Sequence, residues 1–262
     1  MTSVSSSAED RLYQDPDLAR FYDSENGWAA DLDYCSRLAV GAESVLDLGC
    51  GTGLLAAHLA AGGKRSVVAV DPARAMLEIA RRRDAAGRVT WIEGDARSLR
   101  IDRTFDLVLL TGHAFQVFLS EDDQRAALAT IAKHLAPDGR FIFDTRNPAF
   151  EEWREWSPEA SERFFRHPGL GKVRAYNDVE YDAVAAIASY RTDYEIEESG
   201  ESFSASSAIR FTGKEKLGAL LDDAGLFVKE WLGDWAGGPW SPNAKEIIPI
   251  GRLLPADFAA ER

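Results

Sequence analysis

The chain has 262 residues, of which 45% are hydrophobic and 28% are charged, the composition of one ordinary globular domain. Its 30 basic and 43 acidic side chains give a net charge of −13, which disfavours a nucleic-acid partner because such binding relies on Lys and Arg neutralising phosphates. Two cysteines, no long apolar segment and no charged-then-apolar leader predict a cytoplasmic protein with neither a disulfide framework nor a membrane partner.

The N-terminal region is predicted to be helical. From about Asp15 to Val40, apolar and aromatic residues recur at loosely helical spacing. We expect residues 1–43 to form a helical cover that precedes the main fold.

The next segment predicts a ligand-binding turn. The apolar run Ser44 to Leu48 ends in three closely spaced glycines, Gly49, Gly51 and Gly53. Glycine suits such a turn because the backbone visits angles that a side chain forbids and because a ligand must approach the main chain closely. A second apolar run, Ser66 to Val70, stops on Asp71, an acid about twenty residues further on that can bind both hydroxyls of a ribose. Together they predict an adenosine-bearing ligand at the carboxyl edge of a parallel sheet.

The spacing of the glycines distinguishes between classes of ligand. A nicotinamide-binding turn reads G-x-G-x-x-G and would place its third glycine at Leu54, whereas this chain reads G-x-G-x-G. Asp47, two residues before the first glycine, would repel a pyrophosphate but attract an ammonium group. S-adenosylmethionine carries such an ammonium group and no phosphate. The sequence V-L-D-L-G-C-G-T-G at 45–53, followed by V-D-P at 70–72, resembles motifs I and II of the class I S-adenosylmethionine-dependent methyltransferases, of the small-molecule type.

Further apolar runs continue the alternation of strands and helices. Pro72 begins a helix, and Ser120 caps another with Asp123 three residues on. The third, fourth and fifth strands are predicted at Val89–Glu93, Phe105–Leu110 and Arg140–Asp144.

The apolar period then changes. From Lys172 to Phe211 it drops to two, which predicts three antiparallel strands with one apolar face. Thr212 and Glu215 suggest a capping box for the next helix. Leu226–Leu232 and Glu246–Leu253 predict a closing hairpin, in which Pro249 requires a bulge or a later strand start.

These elements and the resemblance imply a doubly wound, Rossmann-like α/β fold. We expect a seven-stranded sheet in the order 3-2-1-4-5-7-6, with the last strand antiparallel and an antiparallel β insert after strand five. The single domain would comprise the cover at 1–43, a core at 44–147 and 212–262, and a substrate lid at 148–211. An insert there would lie over the carboxyl ends of the parallel strands, where ligands bind in such sheets.

The resemblance implies S-adenosylmethionine as cofactor and S-adenosylhomocysteine as its product. Asp47 would lie near the ammonium group, Asp71 would bind the ribose, and Asp95 with the backbone of Ala96 would contact the adenine. A turn role is the alternative for Asp95, and core packing is the alternative for the aromatic residues of the cover. The expected cofactor-binding set is Tyr22, Trp28, Asp47, Gly49, Gly51, Gly53, Asp71, Pro72, Met76, Asp95, Ala96 and Thr111.

The residues after strand four restrict the acceptor. The segment Thr111-Gly112-His113-Ala114 does not contain the Asn/Asp-Pro-Pro-aromatic signature of enzymes that methylate flat amide or adenine nitrogens. It has no cysteine that could attack the carbon of cytosine. It also lacks the carboxylate that metal-dependent catechol-type enzymes use. We therefore expect no metal, and methyl transfer to a nitrogen or oxygen of a small molecule. His113 is the expected base, because an imidazole titrates near neutrality; a structural or cofactor-contacting histidine is the alternative. The expected acceptor-binding residues are Arg146, Trp235 and Trp240.

Two other functions share some of these features. A non-catalytic protein that binds S-adenosylmethionine as a sensor or partner subunit would keep the same motifs. A nicotinamide-dependent reductase is disfavoured by Leu54. For the enzyme we expect a monomer or a homodimer.

Overall fold

The computed structural model describes residues 11–254. The first residues of the expected cover, 1–10, and the last of the expected core, 255–262, lie outside the described part. Within it, the helices before the first strand are α1 (Arg11–Gln14), α2 (Pro16–Ala19), α3 (Tyr22–Glu25) and α4 (Ala30–Leu38). The helical region is divided partly because Asp15 precedes a proline and adopts an extended backbone, from which its side chain caps α2.

The remaining elements follow in chain order. They are β1 (Ser44–Leu48), α5 (Leu54–Ala60), β2 (Ser66–Asp71), α6 (Arg74–Arg83), β3 (Val89–Glu93), β4 (Phe105–Leu110), α7 (Glu121–His134), β5 (Leu135–Phe143), β6 (Thr145–Arg146), α8 (Pro158–Ser161), β7 (Arg163–His167), β8 (Gly171–Asp182), β9 (Ile187–Ile196), β10 (Ser202–Arg210), α9 (Lys214–Asp223), β11 (Leu226–Leu232) and β12 (Glu246–Leu253).

The main sheet has the strand order β3-β2-β1-β4-β5-β12-β11. Strands β1 to β5 pair in parallel, whereas β12 runs antiparallel to both of its neighbours. Because β11 and β12 are the sixth and seventh strands of the predicted core, this order confirms the expected 3-2-1-4-5-7-6 arrangement. The doubly wound α/β prediction is therefore correct.

Alternate residues of each central strand supply two cores, one on each face of the sheet. In β4, Leu107 and Leu109 pack with residues of α4 and α5, whereas Val108 and Leu110 pack with residues of α7 and α9. This explains why the strand is almost entirely apolar, since helices cover both of its faces. Within residues 11–254, no helix combines the length and the apolar character that crossing a bilayer requires.

Two irregularities in the main sheet involve proline. Strand β5 begins at Leu135, earlier than predicted, and the Pro-Asp-Gly turn at 137–139 is accommodated where the register with β4 shifts. Strand β12 pairs with β6 at Ile247 and with β5 at Ile250, and Pro249 lies in the interruption between these pairings. The bulge that Pro249 led us to expect lies in the partner strand β11, next to Val228.

A second, smaller sheet has four strands in the order β10-β9-β8-β7, one more than predicted. The additional strand, β7, alternates in burial, with Phe164 51% exposed and Phe165 packing inward, but its sequence RFFRH places a phenylalanine on each face and so shows no apolar period of two. The small sheet packs on the N-terminal helices, where Phe21 stacks on Tyr194 with ring centroids 4.5 Å apart.

The predicted capping box before α9 is wrong. The N-cap of α9 is Gly213, which makes no side-chain cap. The Thr212 hydroxyl is instead buried and accepts a hydrogen bond from Gln124 Nε2 at 2.8 Å. Thr212 therefore ties α9 to α7 and does not cap the helix.

Candidate active site

A cavity of about 1050 Å³ lies where the carboxyl ends of β1, β2 and β4 meet the N-terminal helices and the small sheet. This is the edge at which ligands bind in sheets of this type. Most of the predicted site residues line it: Tyr22, Trp28, Asp47, Gly49, Gly51, Asp71, Pro72, Met76, Thr111, His113, Arg146 and Trp235. The structure does not bring Gly53, Asp95, Ala96 or Trp240 to the cavity wall.

The glycine turn between β1 and α5 has left-handed backbone angles at all three glycines. A Cβ at Gly49 would lie 2.9 Å from the Ala114 Cβ. At Gly53 it would lie 2.3 Å from the Trp91 ring. Gly53 is therefore needed for packing beneath the turn, whereas Gly49 and Gly51 present bare backbone to the cavity.

Asp71 holds this turn against the tip of β2. One of its carboxylate oxygens accepts a hydrogen bond from the Gly51 N–H at 2.7 Å, and the other accepts one from the Ala73 N–H at 2.8 Å. Burial raises the pKa of Asp71, although the two backbone hydrogen bonds act in the opposite direction. Each oxygen keeps further acceptor capacity, which suits a ligand that offers paired hydroxyl donors.

Asp47 is a buried acid at the end of β1, only 3% exposed. Burial is the main cause that raises its pKa to about 7, and the negative charge of Asp71 adds to it. A cation in the cavity would relieve both effects, because it would stabilise the carboxylate. These neighbouring acids and the bare glycine backbone fit a ligand that carries ribose hydroxyls and an ammonium group.

The short helix α3 covers the glycine turn. The Tyr22 ring lies 3.9 Å from the position of a Cβ on Gly51, and burial, followed by the charge of Asp71, raises the pKa of its phenol to about 12. Asp23 accepts a hydrogen bond from the Thr52 hydroxyl at 2.6 Å and pairs with Arg83. Tyr22 therefore lines the cavity, and its ring also packs against the apolar cluster that contains Ala19 and Met76, so that both predictions for it remain.

The same helix is tied to the small sheet. Glu25 accepts a hydrogen bond from the Tyr194 hydroxyl at 2.5 Å and pairs with Arg163. Trp28 lies at the edge of the cavity, is 41% exposed, and donates from Nε1 to Asp33 at 2.7 Å. The cover is thus joined both to the core and to the sheet above it.

Asp95 forms a local turn. Its carboxylate accepts from the Arg97 backbone at 2.7 Å and from the Arg97 guanidinium, which also pairs with Asp123. These hydrogen bonds outweigh the effect of burial and lower the pKa of Asp95. Ala96 packs in the core. This arrangement matches the alternative prediction for Asp95, a role in a turn.

The predicted acceptor-binding residues are divided between two environments. Trp235 and Arg146 line the cavity, but Trp240 packs against the core beneath the Lys214 ammonium. The Arg146 guanidinium pairs with Glu152 at 3.0 Å and donates to Gln116 at 2.9 Å. Two acceptors from the chain therefore already bind Arg146, which reduces its capacity for a substrate carboxylate.

His113 lies beside two carboxylates that the sequence analysis did not identify. Its Nε2 is 3.1 Å from both oxygens of Glu246 and 3.4 Å from Asp144 Oδ2. Its backbone N–H donates to the Asp144 carboxylate at 3.1 Å. The backbone angle φ of His113 is 60°, an unfavourable value for a residue with a side chain. We call His113, Asp144 and Glu246 the acidic trio.

Burial and charge determine the protonation of the trio. Burial lowers the pKa of His113, but Asp144 and Glu246 outweigh it, so that the net pKa is raised above its usual value. Burial raises the pKa of Asp144, which is 1% exposed, to about 6. The raised pKa of His113 shifts its imidazole toward the protonated form beside the buried Asp144 carboxyl group.

The ligand atoms of the trio lie within 4.8 Å of one another, close enough to hold a cation. The expectation of no metal rests on the residues that follow strand four and takes no account of the Asp144 and Glu246 carboxylates. Glu246 already lies within hydrogen-bond distance of the imidazole, and Asp144 accepts from the backbone N–H of His113, an arrangement suited to exchanging protons.

Asp144 shows the same pattern as Asp71, an acid at the carboxyl end of a buried strand, and could have been found in this way. Glu246 begins β12, which is antiparallel, and its first residue therefore lies at the carboxyl edge of the parallel strands. The predicted strand order already placed the start of this strand at that edge, but no local sequence motif marks Glu246 as a site residue.

Residues 45–139 match a family model described as a methyltransferase domain. The cypemycin N-terminal methyltransferase of a Streptomyces species is 41% identical over 106 residues, which cover 40% of this chain and 43% of the relative. The malonyl-[acyl-carrier protein] O-methyltransferase of Priestia megaterium is 34% identical over 111 residues, 42% of this chain and 39% of the relative. The chain thus spans about two fifths of the length of each of these curated relatives.

The similarity in structure extends over more of the chain. The crystal structure of an S-adenosylmethionine-dependent methyltransferase from Clostridium acetobutylicum superposes with a TM-score of 0.74 at 20% identity. The superposition covers 90% of this chain and 98% of that one. At this level of identity the comparison shows a shared fold.

Proposed function

Since the chain has the class I methyltransferase fold and its residues 45–139 match the methyltransferase-domain family, we propose that it transfers a methyl group from S-adenosylmethionine to a nitrogen or oxygen of a small molecule, with an amine nitrogen favoured. The observation that carries this proposal is that one cavity is lined both by the glycine turn with Asp71 and by the acidic trio. One part suits the donor and the other suits a basic acceptor.

The donor would supply an electrophilic methyl group on its sulfonium sulfur. Asp71 binds the ribose hydroxyls, and Asp47 binds the ammonium of the methionine part. Tyr22, held over the turn by the hydrogen bonds of Asp23, excludes water from this part of the cavity. The main task of these residues is alignment, since methyl transfer is a direct displacement.

The charge of the acidic trio supports an amine as acceptor. When both carboxyl groups are ionised, the trio carries a negative charge whether or not the imidazole is protonated, and this charge attracts an ammonium group in a poorly solvated cavity. The amine must lose a proton before its lone pair is available, and the trio provides groups to receive it. The Streptomyces relative is itself named as an N-terminal methyltransferase.

The proposal is tested with methyl-labelled S-adenosylmethionine and matched pairs of small amines and alcohols. We expect label to be transferred to amines and not to the corresponding alcohols. Transfer to alcohols alone would contradict the choice of nitrogen. Tight cofactor binding in calorimetry, with no labelled product from a metabolite extract, would favour the non-catalytic alternative.

A further prediction concerns protons at Asp47. Because its pKa is raised to about 7 and the bound ammonium would lower it, S-adenosylmethionine binding should release protons near pH 7. The affinity should therefore increase as the pH rises through about 7. Calorimetry in phosphate and in Tris, which differ in ionisation enthalpy, measures the release.

Asp47→Asn is the control for this prediction. The variant has no carboxyl proton to release, so its binding heat should no longer include this buffer-dependent contribution. A wild-type heat that is the same in both buffers at pH 7 would contradict the assignment of Asp47.

A further inference from the structure

The acidic trio has the composition of a metal site. One imidazole nitrogen and two carboxylates face one another, and their ligand atoms all lie within 4.8 Å. Among residues 11–254, no other group of three histidine, cysteine or acidic side chains is placed to hold an ion. Imidazole nitrogen and carboxylate oxygen are both ligands of Zn²⁺ in proteins.

Two distances in the trio match those between the ligands of a tetrahedral ion. Ligands bonded to zinc at about 2.0–2.1 Å lie about 3.3 Å from each other. His113 Nε2 is 3.1 Å from Glu246 Oε1 and 3.4 Å from Asp144 Oδ2. The two carboxylates are farther apart, up to 4.8 Å, and a rotation of the Glu246 side chain would close this third edge.

The ligands are carried by adjacent strands of the main sheet. His113 follows β4, Asp144 follows β5 and Glu246 begins β12, and these strands are neighbours in the order β4-β5-β12. The His113 backbone is fixed in addition by donating to Asp144 and by accepting from the Gln116 N–H at 2.9 Å. Side chains placed on strands in this way need little reorganisation to bind an ion.

The trio is open to the cavity on one side. The side chains of His113 and Glu246 are 24% and 15% exposed, and Asp144, at 1%, forms the base of the site. Asp144 needs to contact only the ion, so its burial does not block binding. Three protein ligands and one open side leave a position for water or a substrate group, as in catalytic zinc sites.

The charge and the ligand types favour a transition-metal dication. Two ionised carboxylates and a neutral imidazole carry two negative charges, which one dication neutralises and one ammonium group does not. The imidazole distinguishes between dications, because nitrogen ligands suit Zn²⁺ and its neighbours whereas Mg²⁺ and Ca²⁺ prefer oxygen ligands.

We propose that His113, Asp144 and Glu246 bind one Zn²⁺ ion, and that this ion excludes the acceptor amine from the trio. The metal site goes beyond the proposed function and does not depend on it. The exclusion does rest on the proposed function, because that function assigns the amine to the same three side chains. The donor still binds when the ion is present, since the glycine turn, Asp47 and Asp71 supply none of its ligands.

The first test measures metal binding without donor or acceptor. Calorimetry titrates Zn²⁺ into the chelator-treated protein in a buffer that does not bind metal, and we expect one Zn²⁺ per chain and no binding of Mg²⁺ at the same concentrations. His113→Asn and Glu246→Gln should each weaken Zn²⁺ binding by about a hundredfold or more, because even the partners of metal ligands contribute about 10- to 100-fold.

Two control variants separate the trio from other groups in the cavity. Asp47→Asn removes a buried carboxylate and Cys50→Ser removes a free thiol, and both residues line the cavity. Both variants should bind Zn²⁺ nearly as tightly as the wild type. Co²⁺, which accepts the same ligands, should show visible absorption without the charge-transfer band of a thiolate ligand. Full Zn²⁺ binding in both trio variants, or its loss in either control, would overturn the site.

The second test is kinetic and separates the exclusion from the proposed function. With an amine that accepts labelled methyl, Zn²⁺ should raise the KM for the amine, leave the KM for S-adenosylmethionine unchanged, and be reversed by excess EDTA. An unchanged or increased rate with the site filled would overturn the exclusion. If no amine accepts label, the proposed function fails, while the calorimetric result still decides whether the metal site exists.

Discussion

Replacing His113 by alanine should reduce methyl transfer by about a hundredfold or more, while S-adenosylmethionine binds with nearly the wild-type affinity. His113 lies past the end of β4 with Nε2 3.1 Å from Glu246, and the variant leaves the trio without its imidazole. His113→Asn should show the same loss, and asparagine tolerates the left-handed backbone that this position adopts. A defect shared by both variants cannot then be attributed to backbone strain.

The pH profile distinguishes base catalysis from a structural role. The pKa of His113 is raised above its usual value of 6.5, and the imidazole must be neutral to accept a proton. Turnover should therefore rise with pH, with a midpoint above 6.5, and both His113 variants should lose this titration. The sequence alone predicted a titration near 6.5, and the neighbouring carboxylates move the expected midpoint upward.

Variants at Glu246 and His167 complete the test. Because the trio acts as a unit, the double variant with Glu246→Gln and His113→Ala should lower turnover little more than the more severe of the two single variants does. His167 does not line the cavity, and His167→Ala should keep near wild-type turnover. If His113→Ala retained wild-type turnover, alignment alone would drive the reaction. A parallel fall in cofactor affinity would make His113 a cofactor contact.

The cofactor half of the cavity could be predicted because its signals are local. The glycine turn and Asp71 follow two consecutive strands, and the spacing between them is fixed by one strand–helix–strand unit. At Asp95, which the same local rule selects, Arg97 binds the carboxylate and the residue does not line the cavity. Asp71 also accepts a hydrogen bond from a residue two positions further on, Ala73, but it lines the cavity and each of its oxygens keeps further acceptor capacity.

The acceptor half could be predicted less well because it is assembled from distant segments. Glu246 lies 133 residues from His113, and the two meet only because β12 enters the sheet beside β5. In the small sheet, the period of two predicted the strands but drew attention to the apolar residues.

Asp71→Ala should weaken S-adenosylmethionine binding by about 1–3 kcal/mol, the usual cost of leaving buried hydrogen-bonding groups without partners. The structure adds a second reason for this loss. The variant removes the acceptor of the Gly51 N–H as well as that of the Ala73 N–H, and so it loosens the turn on which the methionine part would lie. Asp71→Asn keeps one acceptor oxygen and should retain part of the binding.

The control for Asp71 is Glu93, which pairs with it in register at the tip of the neighbouring strand β3. Glu93 is exposed and does not line the cavity, so Glu93→Ala should bind the cofactor as the wild type does, although it removes the same negative charge from the same edge of the sheet. Calorimetry on variants shown to be folded by circular dichroism gives the affinities. Unchanged affinity in a folded Asp71→Ala would remove the ribose assignment. An equal loss in Glu93→Ala would show that general charge at this edge, and not the geometry of the Asp71 carboxylate, attracts the cationic donor.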